Sequence, residues 1–118
     1  MHNIVKTNNR TYIIAKVDSG ASSNYWREQD KQVLQNLTPF DRPSVTLPNN
    51  TILKSIEEGD IPLSPLLSKN AKKALIIPGL KSSSLISLGQ IADDGCTIIL
   101  DKKKLIAVKD QDIVLTGI

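Results

Sequence analysis

Alternation of apolar and polar positions dominates the chain. Thr11 to Val17, with the run Tyr12-Ile13-Ile14-Ala15-Lys16-Val17, has strand periodicity, and Asn3 to Thr7 alternates more weakly before the turn signal Asn8-Asn9. Together they predict an N-terminal hairpin that delivers Asp18. Trp26, Val33, Leu34 and Leu37 then recur with helical spacing, while Arg27, Glu28, Asp30 and Lys31 fall largely off that face. This predicts a short helix within 27–37, with Ser22-Ser23-Asn24 available to cap it and Trp26 as core packing beneath it. The alternative for Trp26 is the wall of a substrate pocket. Thr38-Pro39 and Arg42-Pro43 end the segment.

Val45-Thr46-Leu47 and Thr51-Ile52-Leu53 flank Pro48-Asn49-Asn50, and asparagine tolerates the positive φ of a hairpin tip. Ile56 to Leu63 reads as a strand broken at Glu58-Gly59, followed by an irregular loop through Asn70 forced by Pro62 and Pro65. Lys73 to Ile77 is a strand that ends in the Pro78-Gly79 turn. Ser82-Ser83-Ser84 leads into a short helix from about Leu85 to Ala92, with Gly95 just past its end. Cys96 to Leu100, Leu105 to Lys109 and Ile113 to Thr116 form a meander. The expectation is a mostly β, closed or nearly closed sheet with one or two short helices.

Composition narrows this picture. At 118 residues the chain is one domain by length. Aromatic residues are 3% of it, so Val, Ile and Leu must fill the core. The net charge of +3 allows weak nucleic-acid affinity, but the lysines are scattered apart from Lys72-Lys73 and Lys102-Lys103-Lys104. With one Phe, one Trp and two Tyr, no platform for stacking bases is expected. The lysine clusters read as solvated turns and edge-strand protection. Cys96 is the single cysteine and His2 the single histidine. An internal disulfide is therefore excluded, and a zinc site or a Ser-His or Cys-His pair within one chain is not expected. Cys96 reads as a small apolar residue rather than a nucleophile. No cofactor is implied. No signal peptide or membrane span is legible, which points to the cytosol.

The stretch with candidate chemistry is Val17-Asp18-Ser19-Gly20-Ala21. A strand carries an aspartate out of apolar surroundings and stops at once in a Ser-Gly turn. Gly20 lets a second backbone approach closely, and the Ser19 hydroxyl can bond a neighbouring loop. Taken alone, the tripeptide is also ordinary loop chemistry.

Asp18-Ser19-Gly20-Ala21 after an apolar strand resembles the active-site signature of the aspartic proteases. One signature in a chain this short is similar to the retroviral and retrotransposon enzymes, which work as homodimers. Ala74-Leu75-Ile76-Ile77-Pro78-Gly79-Leu80-Lys81, then Ser84-Leu85-Ile86-Ser87-Leu88-Gly89-Gln90-Ile91, resembles the text of copia-type retrotransposon Gag-Pol proteases, and Gly95 to Leu100 the strand that follows it. The resemblance covers roughly residues 11 to 100. Retroviral enzymes often have an aspartate after the alanine, where this chain has Ser22, and a more Gly-rich flap.

The resemblance implies a single retropepsin-like domain over 1–118, a closed β-barrel with a flap hairpin, acting as a symmetric homodimer. It implies Asp18 as the catalytic carboxylate, Ser19, Gly20 and Ala21 as the active-site loop, and Ser22, Pro48, Asn49 and Asn50 against a polypeptide substrate. That substrate would be the chain's own polyprotein, processed in the cytosol or in virus-like particles. None of the other aspartates sits in a second Asp-Ser/Thr-Gly setting, so a second carboxylate must come from a twin. The alternative is a catalytically inactive or domesticated relative that serves as a dimerisation or peptide-binding module. A more distant alternative is a basic nucleic-acid-binding β domain, which a salt-dependent shift with DNA would reveal.

Overall fold

A computed structural model describes residues 1–7, 11–46 and 49–118. The Asn8-Asn9 turn and Pro48 lie outside these residues. The order is β1 (His2–Lys6), β2 (Tyr12–Asp18), β3 (Asn24–Arg27), a 3-10 segment (Glu28–Val33), β4 (Gln35–Thr46), β5 (Ile52–Asp60), α1 (Lys69–Lys72), β6 (Lys73–Ile77), β7 (Leu85–Ser87), α2 (Leu88–Asp93), β8 (Thr97–Leu100), β9 (Leu105–Lys109) and β10 (Asp112–Gly117).

The fold is mostly β, as the alternation predicts. A seven-stranded sheet runs β1-β2-β7-β3-β6-β5-β4, and a three-stranded sheet runs β10-β9-β8. Among the described residues the larger ladder has β1 and β4 as its ends, and no pairing closes it into a barrel. The two sheets are stitched where the His2 and Ile118 N–H groups donate to each other's carbonyls at 2.8 and 2.9 Å.

Three expectations need correction. The helix expected over 27–37 is a shorter 3-10 segment, and Leu37 belongs to β4. Trp26 sits on β3 and is fully buried, its indole N–H donating to the Asp30 carbonyl at 3.0 Å, so it is core. Asp30, read as lying off the apolar face, is buried: Arg27 grips it with two bonds of 2.9 and 3.1 Å, and the Ser84 hydroxyl donates to it at 2.7 Å. That grip raises the Arg27 pKa.

The second correction concerns β5, which runs unbroken from Ile52 to Asp60. Gly59 is not a break but a close approach. A Cβ there would meet Leu37 Cδ2 at 3.0 Å, Leu34 Cβ at 3.1 Å and the Gln35 carbonyl at 3.2 Å. The third concerns Leu85-Ile86-Ser87, expected at the start of a helix. All three residues are buried, and they form the strand β7 before α2 begins at Leu88.

The main core packs the inward row of β2 (Ile13, Ala15, Val17) and central Trp26, Ile76 and Ile86 against Leu105, Ala107, Val114 and Leu115 of the small sheet. Cys96 packs at its margin, and burial raises the thiol's pKa. A second cluster of Ala21, Tyr25, Ile77, Leu80 and Leu85 lies on the other side of the sheet. Strands β6 and β7 are therefore covered on both faces and show no clean alternation. The meander is as predicted, with Lys102, Lys103 and Lys104 exposed in its first turn. Lys73 is instead the first residue of β6 and pairs with Glu58 at 3.5 Å. No helix among the described residues is long and apolar enough to cross a membrane.

Candidate active site

Asp18 is the last residue of β2, on the outward row after Tyr12, Ile14 and Lys16. The strand stops because the Gly20 N–H donates to Asp18 Oδ1 at 2.7 Å, folding the chain into an Asx turn. The next strand in sequence, β3, is not β2's neighbour in space. Strand β7 lies between them, parallel to β2 with Val17 opposite Ile86 and Asp18 opposite Ser87. The loop 19–23 must therefore arch over the end of β7.

Polar groups, most of them buried, hold that arch. The Ser87 hydroxyl donates to the Ala21 carbonyl at 2.6 Å and accepts from the Gln90 N–H at 3.2 Å, so one side chain ties the loop and caps α2. The Gln90 amide donates to the Ser22 carbonyl at 3.0 Å. At the loop's end, Asn24 is fully buried and satisfied on both sides. Its Oδ1 accepts from the Ser87 N–H at 2.7 Å, and its Nδ2 donates to the Ala71 and Lys73 carbonyls at 2.9 and 2.8 Å. The second apolar cluster, with Ala21 buried in it, lies under this arch.

A cavity of about 370 Å³ opens beside Asp18, lined by Lys16, Asp18, Asn49, Leu80, Ser82, Ser83 and Leu85. A second, of about 310 Å³, shares Asn49, Leu80 and Ser82 with it and runs on to Thr51, Leu53 and Gly79. Asn49 comes from the tip of the β4–β5 hairpin, whose last paired residues are Thr46 and Ile52. The tip has the expected chemistry: Asn50 takes φ 65°, and the Thr51 N–H donates to Asn49 Oδ1 at 3.0 Å. The opposite wall follows the Pro78-Gly79 turn, where φ of +92° at Gly79 suits a residue without a side chain.

The fold thus brings Asp18 and Asn49 to one cleft. Asn50 is exposed at the same tip but does not line the cavity, and Pro48 lies outside the described residues. Ser19 and Gly20 are exposed beside Asp18, and no hydrogen bond of the Ser19 hydroxyl occurs among the described residues. Ser22 is exposed, but its hydroxyl is bonded to the Tyr25 hydroxyl at 2.8 Å. Sequence reasoning missed Lys16, Leu80, Ser82, Ser83 and Leu85. Only Lys16 was legible, because it stands two residues before Asp18 on one strand face. Among the described residues, no group of three His, Cys, Asp or Glu side chains could hold a metal ion.

Away from the cleft, Asp94 at the end of α2 accepts from the Ser68 N–H and from Lys109 Nζ, both at 2.9 Å. These bonds, those from Ser68 foremost, lower the Asp94 pKa to about 2. They tie α2 both to the segment before α1 and to the small sheet. No known protein family, curated protein or solved structure matches the chain.

Proposed function

We propose that this chain is half of an aspartic endopeptidase of the retrotransposon type, completed by a second copy. The observation that supports it most is the placement of Asp18: a carboxylate on a turn braced from below, in a cleft that also receives the tip of a long hairpin. Among the described residues, Asp18 is the one carboxylate lining that cavity. Peptide hydrolysis by this chemistry needs two, one to accept a proton from the attacking water and one, protonated, to donate to the carbonyl oxygen. An isologous contact supplies the second Asp18 across a two-fold axis. Facing carboxylates share one proton, as aspartic-protease dyads do, because both cannot ionise at contact distance.

In this reading Ser19 braces the facing loop through its exposed hydroxyl. Gly20 and Ala21 line the floor, and Ser22 contributes its backbone, its hydroxyl being held by Tyr25. An extended polypeptide lies between the floor and the two hairpin tips, with Pro48, Asn49 and Asn50 of each copy closing over it and excluding water. Leu80 and Leu85 offer an apolar wall to a substrate side chain. Pairing across the axis completes the closed barrel, and the substrate is the chain's own precursor polypeptide in the cytosol.

The test is incubation of the purified chain with its precursor or a peptide library, with and without a statine-type inhibitor, over a dilution series. Inhibitor-sensitive cleavage whose specific activity falls on dilution is expected. Tight peptide binding without cleavage would instead favour the peptide-binding module.

A further inference from the structure

The small sheet has a face that no other part of the described chain covers. Its inward residues Leu105, Ala107, Val114 and Leu115 are buried in the main core. The strand registers place six others on the outward face in two rows, Thr97-Val108-Ile113 and Ile99-Ile106-Thr116. Ile99 is 54% exposed and Ile113 59%, while Ile106 and Val108 on the central strand are half-buried. All six are β-branched and uncharged, which makes a flat surface suited to packing against another sheet.

The charges around this face are sorted by end. The turn from β8 to β9 exposes Lys102, Lys103 and Lys104. The aspartate in that turn, Asp101, is committed to the backbone, its Oδ1 accepting from the Lys103 and Lys104 N–H groups at 2.7 and 2.8 Å. The opposite end exposes Asp110 and Asp112, and the lysine there, Lys109, is paired with Asp94 at 2.9 Å. None of Lys102, Lys103, Lys104, Asp110 or Asp112 has an ion pair among the described residues. The five residues of β9 hold the two ends about 17 Å apart. That is roughly twice the screening length of about 8 Å at physiological salt, so the ends act as separate poles.

We propose that a second copy of this chain seats on this face, the two small sheets stacked about a two-fold axis perpendicular to their strands. Such an axis reverses strand direction, so the Lys102–Lys104 turn of each copy lies over the Asp110–Asp112 end of the other. Both ends are then complementary, whereas stacking with strands in the same direction would set like charges together. The rows of β-branched side chains meet at the ordinary spacing of packed sheets, about 10 Å. An anionic lipid surface fits less well, because Asp110 and Asp112 would be pressed against it along with the lysines. The inference does not rest on the catalytic reading, since the face shares no residue with the Asp18 cleft.

Charge exchange between two variants tests it. Lys102→Glu/Lys103→Glu/Lys104→Glu makes both ends acidic, and Asp110→Lys/Asp112→Lys makes both basic; all five positions are exposed. In sedimentation at neutral pH, each variant alone should self-associate about tenfold or more weakly than wild type. An equimolar mixture should regain wild-type association, because every end again meets its opposite. Pairing through the Asp18 cleft uses none of these residues, so the readout is association beyond it, and wild-type-like association there by either variant would overturn the proposal. So would a mixture no tighter than its components, or a wild-type chain that stays monomeric while binding anionic vesicles.

Discussion

From Ala21 to Asn24 the chain is tied to polar atoms of other elements, most of them buried, whereas among the described residues the outer half of the hairpin that carries Asn49 pairs with itself. The floor loop is held through the Ser87 hydroxyl, the Gln90 amide and the Asn24 side chain. The hairpin is anchored at its root, where Glu57 to Asp60 of β5 pair with β6. Beyond that, among the described residues, Ile52 to Ser55 pair with β4 alone, through a ladder whose register shifts three times. Register shifts twist and bend a ribbon. The two sides of one cleft are specified by different physics. Buried polar groups leave the floor one low-energy arrangement, because an unmet partner is costly. The outer hairpin is specified chiefly by its own β4–β5 pairing.

The largest effect should come from the floor's chemistry. Asp18→Asn should abolish cleavage by several orders of magnitude while leaving the fold intact. The amide oxygen can still accept the Gly20 N–H that Asp18 Oδ1 accepts at 2.7 Å, but the side chain cannot take up the water's proton. Near-normal turnover by the folded variant, measured on the same peptide, would remove Asp18 from the mechanism.

Next comes the floor's support. Asn24→Ala would strand the Ser87 N–H and the Ala71 carbonyl in a buried site and the Lys73 carbonyl in a part-buried one. A loss of roughly 3–5 kcal/mol in denaturant unfolding is expected, at about 1–3 kcal/mol for each buried group left unpaired. A loss below about 1 kcal/mol would mean that water replaces the side chain and that the floor is not rigidly specified.

A smaller effect should appear in acid. The Asp94 carboxyl has its pKa lowered from 3.8 to about 2, so the stability it contributes is fully present above 3.8 and is lost as pH falls through 2. Its partner Lys109 is raised above 10.5, so its contribution is present below that value and is lost as pH rises through the raised one. Asp94→Asn should flatten the decline in stability between about pH 4 and pH 2, measured by thermal unfolding. An unchanged slope would show that other carboxylates govern that window.

The smallest effect belongs to the roof. Asn50 already takes φ 65°, so Asn50→Gly should change unfolding stability by less than about 0.5 kcal/mol. A change as large as that of Asn24→Ala would abolish the contrast between the two sides.

Much of this was written locally. The N-terminal hairpin, the β4–β5 hairpin with its Asn49-Asn50 tip, and the β8–β10 meander follow from two-residue alternation and turn chemistry, which act between near neighbours. The exit of Asp18 from β2 into a tight turn was legible for the same reason. What the sequence could not show is where non-neighbours meet. Leu85-Ile86-Ser87 is too short to display a period and is buried on both faces, so its strand conformation is imposed by the slot between β2 and β3. Asp30 looks like a surface charge until Arg27 and Ser84 are brought to it. The cleft's far wall, Leu80 to Leu85, carries no signature, because its role depends only on β7 lying beside β2 and on a hairpin tip reaching across. Short-range pattern determined the elements and the turn that presents the carboxylate. Long-range pairing and burial decided which residues share its cleft.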